Sequence, residues 1–100
     1  MIISDLDLTM KAEWIQVEKV AETGDLIEKE TVSINAWVLD NKVLYTQGES
    51  GYNKVSAKGY ILSKNTQVKV GDKLDGVFVQ KFHAINDFDG SIDHYEAFTY

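Results

Sequence analysis

The side chains able to do chemistry gather near the end of the chain. His83 and His94 are its two histidines, and Asp93 and Glu96 flank the second. An imidazole beside a carboxylate is the start of an acid–base pair, and two imidazoles with carboxylates are the start of a metal site. If the runs around them form a hairpin, His83 and His94 face each other across it. Alternation then sends Asp93 to the face opposite His94. No third ligand stands at a diagnostic spacing, so half-buried structural histidines are the simpler expectation.

Between the two histidines, Asp87, Asp89, Gly90, Ile92, Asp93 and Glu96 match the third, fifth, sixth, eighth, ninth and twelfth places of an EF-hand calcium loop. Ile85 takes the first place, where an acidic ligand belongs. The flanks are β-branched and aromatic where that motif needs helices. A hairpin turn in which Asp and Gly relieve backbone strain is expected instead. Nucleophilic chemistry has less to build on. The chain has no Cys, and Glu49-Ser50-Gly51 lacks the strand-to-helix setting of a nucleophile elbow. Gly48 and Gly51 are not followed by the Gly-Lys-Ser/Thr of a phosphate loop. The expectation is no enzyme, with no catalytic residue, no metal and no cofactor.

The elements that carry these residues read as strands. Residues 77–85 and 92–100 are rich in Val, Phe, Ile, Tyr and Thr, which fit a pleated sheet, and a polar Asn/Asp/Gly knot separates them. This hairpin is taken as the centre of the fold. Residues 12–20 form another strand, but Trp14 and Ile15 are adjacent, so both faces are partly covered or the strand carries a bulge. Residues 28–39 have the cleanest period of two. Val32, Ile34, Ala36 and Val38 lie on one face, and Thr31, Ser33, Asn35 and Trp37 on the other. Asp40-Asn41 reads as a tight turn into a strand at 42–46. Gln47, Gly48, Glu49, Ser50, Gly51, Tyr52, Asn53 and Lys54 form the longest polar, Gly-bearing stretch and read as a long loop. Residues 57–63 give one more strand and 64–66 a turn. Residues 1–11 are an N-terminal arm or a brief helical turn capped by Ser4, with Asp5 and Asp7 at its positive end. The expected fold is all-β: one domain, a small antiparallel barrel or sandwich of six to seven short strands.

Composition limits the function further. At 100 residues with 44% hydrophobic side chains, nearly all the apolar groups are needed for one core, which leaves little for a ligand cavity. All ten basic residues are Lys, against sixteen acids, for a net charge of −6. Arg, the side chain suited to forked phosphate and guanine contacts, is absent, and so is a basic patch. Tight nucleic-acid binding is therefore not expected. No apolar run approaches the ~20 residues of a membrane span, and the start lacks the regions of a signal peptide. Trp37, on the polar face of its strand, and Tyr52 are the aromatic contact residues expected at an interface.

The last third of the chain has a likeness. Val68-Lys69-Val70-Gly71-Asp72-Lys73-Leu74-Asp75-Gly76-Val77-Phe78-Val79 resembles the VGD-plus-hairpin segment of small phage neck proteins. His94-Tyr95-Glu96-Ala97-Phe98 resembles the HHYEV terminus of minor capsid and head-closure (stopper) proteins of long-tailed phages, with Asp93 where a second His would stand. The resemblance implies a small β-barrel that joins a homo-oligomeric ring, twelve- or six-fold, in the virion neck after synthesis in the host cytoplasm. Its implied partners are the portal and adaptor on one side and the tail tube or terminator on the other. A loop of such a ring points into the channel, and residues 47–54 fit it by length and composition. A ring multiplies the negative charge of each copy, so DNA passes without tight binding. A tail-completion or terminator protein is the neighbouring expectation. A small acidic inhibitor mimicking DNA charge, or blocking another host defence, is the alternative from a different class.

Overall fold

The structure, a computed structural model, describes residues 8–100. Six strands make it up: β1 (Met10–Lys19), β2 (Leu26–Gly48), β3 (Gly51–Ser63), β4 (Lys73–Leu74), β5 (Val77–Asn86) and β6 (Ile92–Thr99). All neighbours are antiparallel, and the sheet closes on itself in the order β1-β2-β3-β6-β5-β4. The fold is all-β, and no helix occurs among the described residues. Closure removes most of the open strand edges that a sheet of this size would otherwise expose.

The period of two expected over residues 28–39 decides burial only from 34 to 38, since Val32, expected on the inner face, is 48% exposed. Ile34 and Ala36 are buried, Val38 packs against the core, and Trp37 on the other face is 53% exposed. The interior is filled by pairing large side chains with small ones across the register. Ala36 lies opposite Leu62, which lies opposite Tyr95; Val38 lies opposite Tyr60, which lies opposite Ala97. Phe82 faces Ala97 from β5, and its ring meets that of Tyr95 at 4.8 Å. Alternating sizes fit the narrow bore of a small barrel. The bore is therefore a packed core.

The hairpin of residues 77–99 is present, with β6 between β3 and β5. Adjacent Trp14 and Ile15 are both half-buried, so both faces of β1 are partly covered; the register shift just beyond them is a bulge in β2, where Lys29 and Glu30 oppose Gln16 alone. Residues 64–65 form the expected turn, closed by the Thr66 amide donating to the Ser63 carbonyl at 3.0 Å.

Three expectations are corrected. Asp40-Asn41 is not a turn but a bulge: β2 runs through it, and its register with β3 shifts between Leu39 and Lys42. A two-residue hairpin turn of the favoured kind needs positive φ at both central residues. Only Asn41, at 61°, has it. Two residues there oppose Lys58 alone, which bends the strand. As a result β2 is 23 residues long, where short strands were expected.

The second correction follows. Residues 47–54 are not a long loop: Gln47 and Gly48 end β2, Gly51, Tyr52, Asn53 and Lys54 begin β3, and only Glu49 and Ser50 turn. Gly51, with φ of 121°, supplies the turn with a conformation that side chains disfavour. The third concerns the N-terminal arm of residues 1–11. Met10 and Lys11 belong to β1, while residues 1–7, with the Ser4 cap, lie outside the described residues.

Candidate functional site

The feature that stands out is an arm. The lower part of β2 pairs with β1 as far as Ala36, and β3 pairs with β6 from Lys58 to Ser63. Beyond those limits β2 and β3 pair only with each other among the described residues, through seven pairs from Lys42↔Ala57 to Gly48↔Gly51. A two-stranded ribbon thus leaves the barrel at the Asp40-Asn41 bulge. Its two outer edges carry backbone donors and acceptors with no third strand among the described residues, a ready template for another chain.

Alternation sorts the side chains of the arm. Val43, Tyr45 and Gln47 share a face with Ser56, Lys54 and Tyr52, their partners in register. Val43 is 46% exposed, Tyr45 64% and Tyr52 76%. The other face carries Leu44 and Val55, both half-buried. Burying Tyr45 and Tyr52 in water-free contact would remove a large amphipathic area, since each such ring can bury ~150–250 Å².

Trp37 lies on the outer wall of the barrel. It stands opposite Ile61, which stands opposite Glu96, which stands opposite His83, a row across four strands. In the next row Leu39, Gly59, Phe98 and Lys81 are paired. A Cβ at Gly59 would sit 3.4 Å from Cε1 of Phe98, so the missing side chain lets that ring lie over β3. The hollow between Leu39, Lys42, Gly59, Ile61 and Phe98 is about 20 Å³, room for about one water.

The histidines do not converge. His83 packs edge-on against Phe98 at 6.1 Å, whereas His94 Nδ1 lies 2.6 Å from Asp93 Oδ2 and its Nε2 3.7 Å from Glu96. Alternation was expected to separate Asp93 from His94. The short Asp side chain nevertheless bends back to the neighbouring ring, which pins the imidazole to its own strand. No group of three or more His, Asp or Glu with metal-binding geometry occurs among the described residues. The calcium-like segment is a hairpin turn: the Asp87 amide donates to the Ser91 carbonyl at 2.7 Å, and the Gly90 amide to the Asp87 carbonyl at 3.0 Å. Hydrogen bonds from the Ser91 hydroxyl and amide hold the Asp89 carboxyl below its ordinary range.

The acids that matter most were missed from the sequence. Asp72, 1% exposed, accepts from the Trp14 indole at 3.0 Å, the Val17 amide at 3.1 Å and the Lys69 amide at 3.2 Å. Asp75, held at φ 51° before Gly76, accepts from the Glu13 amide and the Tyr60 hydroxyl, each at 2.9 Å. Burial first, and then the Asp75 carboxylate, raise the Tyr60 hydroxyl well above its ordinary pKa. The segment that carries the VGD likeness is thus a clasp, closing the barrel between β1 and the two-residue β4. Its only signal in the sequence is Asp next to Gly, which also describes any turn.

The opposite end of β2 forms a second hairpin with β1. Residues 18–30 hold five acids and two lysines, while the arm, residues 42–57, holds Lys42 and Lys54 against Glu49. Lys29 bridges Glu18 at 2.8 Å and lowers its pKa, and Lys73 bridges Glu28 at 2.6 Å. Beside this hairpin an open groove of about 470 Å³ is lined by Val17, Leu26 and Val70, with Glu18, Lys19 and Lys69 as its charged neighbours. Leu26 and Val70 are 57% and 58% exposed. Among the described residues no helix is long and apolar enough to cross a membrane. Comparison of the chain with protein-family models, with curated proteins and with solved structures finds no match.

Proposed function

We propose that this chain is a structural assembly protein of a phage virion neck, a head-closure (stopper) unit that joins a ring between the portal or adaptor and the tail. The observation that carries the reading is the β2–β3 arm. An isolated two-stranded ribbon is at best marginally stable in water. A packed barrel that extends one with two exposed tyrosines, and with edges that no other strand among the described residues pairs, is built to meet another chain. The likeness of residues 68–79 and 94–98 to neck proteins supplies the kind of assembly. The excess of acids fits a channel that must let DNA slide, since phosphates are repelled by the same sign of charge. A tail-completion role within the same neck would use the same arm.

The reading also accounts for what the buried acids do. Asp72 and Asp75 spend their hydrogen bonds on closing the barrel, and His94 is held by Asp93. These groups serve architecture, and we assign the chain no reaction. The test is electron microscopy of particles made by a parent phage lacking this gene. DNA-filled heads that leak their genome and carry no tail are the expected result. Normal tailed virions would overturn the proposal.

A further inference from the structure

We propose that His94, Glu96 and His83 bind one zinc-type divalent cation on the outer wall of the β5–β6 hairpin. Such a site goes beyond the neck reading and does not rest on it. His94 and Glu96 are two residues apart on β6 and share a face, and Glu96 lies opposite His83 on β5. His94 Nε2 stands 3.7 Å from Glu96 Oε1. Two ligands of one tetrahedral zinc, each ~2.0–2.2 Å from the metal, stand ~3.4 Å apart. The pair is therefore a few tenths of an ångström from sharing a cation.

His94 is already held as a ligating imidazole is held. Its Nδ1 lies 2.6 Å from Asp93 Oδ2. With the ring proton on that side, Nε2 turns its lone pair toward Glu96. A carboxylate behind a ligating imidazole fixes its tautomer and raises its basicity. Both side chains of this dyad are nearly buried, so binding has little ordering left to do there.

His83 supplies the third ligand by turning. Its diagonal neighbours on the shared face are Phe98 and His94, two residues to either side of Glu96. Such diagonals span ~7–8 Å, within reach of long side chains. The His83 ring rests edge-on against Phe98 at 6.1 Å, so the three ligands do not converge in this rotamer. The residue is exposed, and among the described residues β5 pairs with β4 only at Val77 and Phe78. One step about χ1 between staggered wells is thus unobstructed by a further strand and exchanges the Phe98 contact for the cation. Two imidazoles and one carboxylate suit zinc, copper or nickel, and offer too few oxygens for calcium or magnesium. The fourth position faces outward, open to water.

The test titrates zinc chloride into the full chain by calorimetry, alongside His83→Gln and Glu96→Gln. Both positions lie on the outer wall, and thermal melts without zinc verify that each variant folds. The expected result is one zinc per chain with a Kd on the order of 10 µM, weakened at least tenfold by either substitution. Saturating zinc should raise the melting temperature of the unaltered chain, and calcium should not. Imidazole ¹H–¹⁵N spectra of the unaltered chain should show the resonances of His83 and His94 moving together. Absence of binding at roughly 1 mM zinc overturns the proposal. So does binding that either substitution leaves unchanged, or binding that leaves the His83 ring resonances in place.

Discussion

The Trp14 indole donates to the Asp72 carboxylate at 3.0 Å, joining residues 58 positions apart. The same carboxylate receives the Val17 and Lys69 amides, so one buried acid fixes β1 to the turn before β4. β4 has two residues and cannot hold the seam of the barrel by its ladder alone. The clasp does that work.

Asp72→Ala strips several buried donors of their acceptor. Each unsatisfied donor costs ~1–3 kcal/mol, so a loss of about 3 kcal/mol is expected in urea unfolding, read from Trp14 fluorescence. Asp72→Asn, which keeps one acceptor oxygen, should lose less. A change below ~0.5 kcal/mol for the alanine variant would show that the seam does not depend on the clasp.

Tyr60 makes stability depend on alkaline pH. Its native pKa lies above the unfolded value because burial and Asp75 disfavour the phenolate. The native state therefore binds the proton more tightly. The contribution is complete below the unfolded tyrosine value of about 10 and is lost as pH rises through the higher native value. Tyr60→Phe should cost about 1 kcal/mol at pH 7 and should flatten the decline above pH ~10. Denaturant midpoints of both proteins across that range check it; parallel declines would contradict the assignment.

Most of the barrel is legible in the sequence, and the reason is local. At 34–38 the alternation of side chains states which face is inside, and adjacent Trp14 and Ile15 state that both faces of their strand are partly covered or that it bulges. At 92–99 the inner face is not legible, because Asp93 and Thr99 are buried with Tyr95 and Ala97 while Phe98 is not. The arm is not legible, because Asp40-Asn41 is a turn signal by composition. Whether such a pair turns the chain or bulges it depends on the partner strand, which lies about twenty residues away in register with Gly59 and Ala57. Likewise Gly48 and Gly51 suggest a loop until Tyr52, Asn53 and Lys54 find Gln47, Thr46 and Tyr45 across the ribbon. The row from Trp37 to His83 depends on register across four strands, which no local pattern contains.

Asn41 holds a left-handed conformation at the base of the arm. Asn tolerates it and a β-branched residue does not. Asn41→Gly should leave stability unchanged or raise it by up to ~1 kcal/mol, and Asn41→Val should lower it by about 1–2 kcal/mol. Thermal melts of both variants check the order. Equal melting of the Val and Gly forms would argue against the bulge.

The arm should open more readily than the barrel. Native-state hydrogen exchange should find the amides of 43–55 at least about a hundredfold faster than those of 60–62, which sit in a ladder paired on both sides. Uniform protection along β3 would mean that the ribbon is braced by more than its own seven pairs.

The most direct test of the account replaces residues 43–56 with a two-residue Asn-Gly turn, which keeps Lys42 opposite Ala57, and asks what is lost. If the arm exists for assembly, the shortened chain keeps the melting temperature of the barrel within a few degrees and fails to restore tailed particles to a phage lacking the gene. A shortened chain that restores tailed, infectious virions as well as the full one does would contradict it.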